Sequence, residues 1–288
     1  MSKKPSIAIV GAGSLANSMA VALHRAGFQI TEIIARNTLG SRRRARMLAT
    51  KVDAKPVTAN SATLNATLLW LCVPDREIRS AASALALRAS VQRKMRLRVA
   101  LHSSGALLSR ELSPLRQAGA VVASLHPLMT FVAGTGPSLK GVPFAIEGDE
   151  QAKRIARRIV RELGGKSFSL PPARKAAYHA WATLSSPLLL AFLVTLEDAA
   201  RAAGLTAEDA RLKSLPIIRQ TLANYSRLGP ARSFSGPLIR GDAKTVAKHL
   251  AVLKKHPTVR RVYSSLAQAA LRGLPVKNLR ELKRLLQN

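Results

Sequence analysis

Two histidines and a lysine are the residues best suited to acid–base chemistry: His126 in SLHPL, His179 in YHAWA, and Lys175 four positions before His179. His126 ends an apolar run and Pro127 fixes the turn after it, so the imidazole should stand at the carboxyl end of a strand. Reducing a carbonyl needs a hydride from one side and a proton from the other. An ordinary imidazole titrates near 6.5 and can supply that proton around neutrality. The other reading of His126 is a structural histidine bonded to backbone. Lys175 and His179 lie one helical turn apart and share a face. His24 and His102 have no spacing that calls for a metal, His249 and His256 read as surface helix residues, and no Cys/His cluster exists, so no metal is expected.

Groups that could hold a small acid lie in two further stretches. HSSGAL at 102–107 supplies Ser103, Ser104 and Gly105, where hydroxyls and backbone amides could grip a carboxylate; the alternative is the turn and capping preference of serine. A loop ordered by Gly236, Pro237 and Gly241 carries Arg240 and Asp242, and Asn224 precedes it. Asn224 is expected to orient the acid. Arg240 either pairs its carboxylate bidentately or braces the loop against Asp242.

IAIVGAGSLANSMAVALHRAG has the order strand, tight turn and helix that a dinucleotide fingerprint requires. Gly11 permits the turn, Gly13 lets a diphosphate approach the backbone, and Ala16 allows close helix packing. The amides at Ser14 and Leu15 and the helix dipole would hold the anion. The other reading is an ordinary glycine turn of an α/β protein. About 20 residues on, where NAD sites place a carboxylate, stands Arg36 in IIARN. A cation there suits the 2′-phosphate of NADP, with Asn37, Thr38 and residues 41–44 completing the pocket; the alternative is that these arginines only solvate a helix face. LWLCVPD reads as another strand and its loop, which puts Val73 and Pro74 beside the nicotinamide, while Asp75 either joins the site or caps the next helix.

The elements that must position these residues alternate up to about residue 170. The pattern predicts strands at 6–10, 29–35, 68–73, 97–102, 121–125, 143–147 and 166–170, with helices at 15–26, 41–49, 77–87 and 150–163 between them. After Pro171 and Pro172 only helical periodicity follows, at 188–203, 207–228, 243–255, 257–271 and 278–286. The segment 176–196 contains no Lys, Arg, Asp or Glu and is long enough to span a bilayer, but its hydroxyls, His179 and Pro187 favour a buried, broken pair of helices.

The 288 residues include 46 Lys and Arg against 15 Asp and Glu, a net charge of +31. A field of that sign attracts anionic ligands. The cations are spread along the chain without the aromatic partners that stack single-stranded bases, so a generally basic surface is favoured over nucleic-acid binding. One cysteine, Cys72, excludes an internal disulfide and fits a reducing, cytoplasmic setting. The start MSKKPSIAIVGAG runs straight into glycines and does not resemble a signal peptide.

VPD, HSSGAL, SLHPLMTF, YHA and GPLIRGDAKTVAKHL, in that order over about residues 5 to 255, resemble the bacterial Rossmann-like proteins with a DUF2520 C-terminal domain, which carry the label of NADP oxidoreductases of the F420-dependent type. The resemblance implies an α/β fold, an N-terminal Rossmann-type doubly wound parallel sheet followed by an all-α C-terminal domain, as in β-hydroxyacid dehydrogenases. Residues 1–172 would form the NADP-binding domain and 173–288 a helical substrate domain that also dimerises. The resemblance further implies NADPH-dependent reduction of a small keto acid closed between the domains, with ketopantoate as one candidate. SLHPL also looks like the HP motif of prephenate dehydrogenases. Related β-hydroxyacid dehydrogenases use a lysine as acid where Lys175 stands, but His179 occupies the place of their asparagine, and Pro187 stands where the DUF2520 pattern often has another. Oxidation of a hydroxy acid or prephenate-like substrate is the second reading, and an NADP-sensing, nucleic-acid-binding protein without turnover the third.

Overall fold

The computed structural model describes residues 4–91 and 98–287. Its contacts divide the chain into two compact units between Thr183 and Leu184, later than the expected boundary near residue 172. The helix that carries Lys175 and Tyr178 thus begins within the first unit.

In the first unit, β1 (Ile7–Val10), α1 (Ser14–Arg25), β2 (Ile30–Ala35), α2 (Leu39–Lys51), β3 (Lys55–Thr58), β4 (Leu68–Leu71), α3 (Asp75–Val91) and β5 (Val99–His102) alternate. Then come a 3-10 turn (Ser109–Leu112), α4 (Ser113–Gln117), β6 (Val121–Pro127), β7 (Pro143–Gly148), α5 (Glu150–Glu162) and β8 (Lys166–Ser169). A second 3-10 turn (Pro172–Arg174) leads into α6 (Lys175–Ser185). The eight strands form one sheet in the order β3-β2-β1-β4-β5-β6-β7-β8. All neighbours run parallel except β6 and β7, where His126 pairs with Ala145. Strands buried on both faces need near-continuous apolar sequence, and IAIV and LLWL supply it. One core layer joins Ile9, Met19, Leu48, Trp70 and Ile159. The other joins Val10, Leu69, Ile78, Leu85 and Val122.

The expected strands are present, each within one or two residues at its ends; Leu97, the expected first residue of β5, lies outside the described residues. β3 has no counterpart among them. It reads KPVT and pairs only with β2, an edge position that tolerates Pro56 and an exposed Lys55.

The second unit holds α7 (Pro187–Arg201), α8 (Ala207–Leu228), the short α9 (Pro230–Ser233) and α10 (Pro237–Arg240), then α11 (Ala243–Leu253), α12 (Pro257–Gly273) and α13 (Leu279–Gln287). Val246, Leu250, Leu271 and Leu282 make its small core. The apolar segment breaks at Ser186–Pro187, as expected, because proline cannot continue the helix before it. It is not buried: Leu188, Leu190 and Val194 are exposed, and only 6% of the most apolar window is covered. By length and composition alone Pro172–Arg201 could cross a membrane.

Gly148 closes β7 at the end of its antiparallel pairing with β6, opposite Ala123. It sits at φ +136°, and a Cβ there would stand 2.4 Å from the carbonyl oxygen of Val122. Gly148→Ala should lower stability by about 2 kcal/mol or more in urea unfolding, because both backbone strain and a clash are introduced.

Candidate active site

At the carboxyl end of β1 the chain turns at Gly11, whose φ of +108° places its α-carbon against the end of β4; a Cβ there would meet the Cys72 carbonyl oxygen at 2.4 Å. Gly13 precedes α1 with nothing within 4 Å of where its Cβ would be. The first-turn amides at Ser14, Leu15 and Ala16 cannot be bonded within their own helix, and no side chain caps them. Open space over free amides at a helix start is what a phosphate needs. Ala16 is fully buried and seats the helix on the sheet.

A cleft of about 570 Å³ runs from this turn across the β2 and β4 ends, lined by Gly11, Gly13, Arg36, Ser41, Arg44, Val73, Pro74 and Glu77. It lies beside the β1–β4 junction, where the strand order reverses and ligands of open α/β sheets bind. Arg36 is exposed, and its Nη1 donates to Glu77 Oε1 at 2.8 Å. Asn37 is also exposed, and Thr38 caps α2 by accepting from the Ser41 amide.

A second group of residues gathers around the ends of β5 and β6. His126 Nδ1 lies 2.7 Å from the Tyr178 hydroxyl. The His126 and His179 rings meet edge-on with centroids 6.0 Å apart. Gly105 fills the angle between them, since a Cβ there would stand 2.5 Å from His179 Cδ2 and 2.8 Å from His126 Nε2. Burial, with help from His179 and Lys175, lowers the His126 pKa to about 4, and burial raises Tyr178 to about 12. Both groups therefore favour the uncharged form at neutral pH. Against the expectation of an ordinary imidazole titrating near neutrality, burial holds His126 below that range.

Beneath these rings a polar chain runs from exposed Asp75 to buried Lys175. Asp75 Oδ2 accepts from Ser104 Oγ at 2.8 Å, the Ser104 carbonyl accepts from Ser124 Oγ, and Ser124 Oγ accepts from Lys175 Nζ. Lys175 Nζ lies 3.8 Å from Glu147 Oε2, and Glu147 accepts from both the amide and the hydroxyl of Ser109. Desolvation lowers the Lys175 pKa to about 8 against the pull of Glu147 and Asp75. His102 accepts from the Ser104 amide at Nδ1, so its Nε2–H donates to the Leu108 carbonyl. Burial takes its pKa down to about 3.

These contacts revise several expected roles. Ser103 accepts from Trp70 Nε1 at 2.8 Å, and Ser104 accepts from the Ala106 and Leu107 amides while donating to Asp75. Both hydroxyls have partners inside the protein, which favours the turn-forming alternative over a grip on a carboxylate. Lys175, 3% exposed, is buried against Ser124 and Glu147. Asp75 braces Ser104 instead of capping α3. Val73 and Pro74 line the cleft, and Asp75, the next residue, ties that wall through Ser104 to Gly105 and the two histidines. Asn224 and Arg240 belong to the second unit. Asn224 accepts from Gln220, and Arg240 is exposed at the end of α10. Asp242 caps α11 through Thr245, so no Arg240–Asp242 brace is needed for it. Sequence reasoning misses Tyr178, Glu147, Ser124 and Glu77. Tyr178 has a local signal, its i+3 spacing from Lys175; the others are united only by the fold. Among the described residues no cluster of His, Cys, Asp and Glu could hold a metal.

A glycine turn opening a helix beside the reversal of strand order defines a Rossmann-type α/β fold. Residues 2–127 match the Rossmann-like domain and residues 142–270 match the domain of unknown function DUF2520, so the chain carries these two domains in succession. The fold is shared with protein BF3122 from Bacteroides fragilis, at 23% identity over 92% of this chain and 97% of that one, TM-score 0.75. Protein TM1727 from Thermotoga maritima is 25% identical over 98% and 100% of the two chains, TM-score 0.70. An imine reductase from Pseudomonas sp. is 19% identical over 98% and 99%, TM-score 0.64. No curated protein matches the chain in sequence.

Two measurements check this site. His126 and His102 both have folded pKa values below 6.5, so the unfolded chain takes up their protons first as pH falls. Stability should be full above about pH 6.5 and decline from there toward pH 4, by on the order of a few kcal/mol in urea unfolding. Histidine ¹⁵N NMR on the same protein should show His126 neutral at pH 6; a resonance titrating near 6.5 would contradict the burial described here.

Proposed function

We propose that the chain is an NADP(H)-dependent oxidoreductase that reduces a small carbonyl compound, of the class of keto acids. The observation that carries this reading is the cleft itself, which joins open amides at a helix start to a cation at the end of β2 and ends at the wall braced to His126. BF3122, with which the fold is shared, is provisionally assigned as an NADP oxidoreductase, and this agrees with the reading.

Gly13 and the amides of Ser14, Leu15 and Ala16 hold the diphosphate, and Arg36, with Asn37 and Arg44 at the rim, takes the 2′-phosphate. NADPH bound there supplies a hydride from its nicotinamide ring. Val73 and Pro74 orient that ring. His126 donates a hydrogen bond from Nε2 to the substrate oxygen when its Nδ1 accepts from Tyr178, and His179 flanks the same point. A neutral imidazole can polarise a carbonyl through that bond without carrying a positive charge itself, and the alkoxide that the hydride leaves would take its proton from solvent water, with hydroxide returned to bulk.

The low His126 pKa also favours a second reading, reduction of a C=N bond, because an iminium carbon takes a hydride without an acid at the site. The likeness to an imine reductase is compatible with it. The exposed apolar residues Leu188, Leu190 and Val194 are the surface by which two copies would pair, and a cytoplasmic setting suits the buried, unpaired Cys72.

Calorimetry should show NADPH bound more tightly than NADH, with Arg36→Ala removing most of the difference, roughly 10-fold or more. In assays of NADPH oxidation with 2-keto acids, ketopantoate among them, and cyclic imines, His126→Ala should lower kcat by about 10²- to 10³-fold with a keto acid and much less with an imine. Oxidation of NADPH by neither class would contradict the assignment.

A further inference from the structure

Sequence puts a cation at the end of β2 where NAD sites carry a carboxylate, yet the fold delivers a carboxylate to that place from another element. Glu77 lies in the first turn of α3, 41 residues beyond Arg36, and accepts from Arg36 Nη1 at 2.8 Å. Both residues line the cleft that begins at Gly11 and Gly13. The two halves of the pair differ in freedom. The Glu77 side chain is 20% exposed and set into the cleft wall, whereas that of Arg36 is 61% exposed. A carboxylate in the first helical turn is also favoured by the positive end of α3.

We infer that Glu77 determines the choice between the two nicotinamide cofactors, by serving as acceptor for an unphosphorylated ribose and as a competitor of the 2′-phosphate for Arg36. The inference rests on the reading of this cleft as a dinucleotide site. With NADH the ion pair stays intact, and Glu77 offers its second oxygen to the ribose hydroxyl. With NADPH the guanidinium turns from Glu77 to the phosphate. That exchange is inexpensive because an exposed ion pair contributes little. Meanwhile the Glu77 carboxylate repels the incoming dianion. Arg44 is the other cation in the cleft lining and adds to the attraction for the phosphate without contacting Glu77 in the ion pair. The chain therefore accepts both cofactors, and Glu77 keeps the preference for NADPH smaller than Arg36 alone would make it.

The test is calorimetric titration of the full chain with NADPH and with NADH, for wild type, Glu77→Gln, Arg36→Ala and the double variant. Gln has the size of Glu and the site is at the surface, and a thermal melt of each variant checks folding. Glu77→Gln is expected to raise the NADPH-to-NADH affinity ratio about 5- to 20-fold, by tightening NADPH and weakening NADH together. In the Arg36→Ala background the same change should still weaken NADH, while its gain in NADPH affinity should shrink. If wild type binds NADPH and the ratio is unchanged or lower in Glu77→Gln, this role of Glu77 is overturned while the dinucleotide site stands. If wild type binds neither cofactor, both fall.

Discussion

A buried ammonium organises the side of the first unit that carries His126. Lys175 reaches from the first turn of α6 to Ser124 on β6, with Glu147 on β7 as its countercharge. An ion left unpaired in such a place would be strongly destabilising, so each partner constrains the others. Glu147 can hold its position only because Ser109 gives it both an amide and a hydroxyl. Once Lys175 is seated, the helix it begins has its register fixed, and Tyr178, at i+3, reaches His126 while His179, at i+4, flanks the same ring. Geometry at the imidazole is thus inherited from a charge pair below it.

The same polar chain explains how the two halves of the cleft communicate. Asp75 opens α3 directly after Pro74 in the cleft wall, and its bond to Ser104 holds the turn that places Gly105 against both histidines. Glycine is required there because a methyl group would occupy the space between the rings. The Arg36 end of the cleft obeys a different logic: it is open and charged, and its Arg36–Glu77 pair is exposed enough to rearrange.

Much of the fold is legible in the sequence because the physics of a parallel sheet is local. IAIV and LLWL can only be buried strands, the glycine turn announces its helix, and the Pro171–Pro172 pair marks where strands stop. KPVT is illegible as β3 because an edge strand does not need an apolar or proline-free sequence. The site is legible in position more than in role. His126 and Gly105 come together as their placement at the end of β6 and after β5 suggests, but the pKa of His126 depends on burial by elements distant in sequence, and the tyrosine that bonds it stands 52 positions away. Ser103 and Ser104 have the composition of a carboxylate grip, and only the fold shows that Trp70, Asp75 and two amides consume their hydroxyls. Glu77 has no sequence signal linking it to Arg36. The break in the apolar segment before residue 196 is legible at Pro187, yet composition does not distinguish a core helix from an apolar surface.

We propose that the start of α1 receives the diphosphate and the end of β2 the 2′-phosphate of one dinucleotide, with its nicotinamide toward His126. A crystal structure of the chain with NADP⁺ tests it most directly. The expected result is the diphosphate on the amides of Ser14 and Leu15, the 2′-phosphate against Arg36 released from Glu77, and the nicotinamide beside Val73 and Pro74 on the His126 side. A diphosphate seated elsewhere, or a nicotinamide turned away from His126, would contradict it.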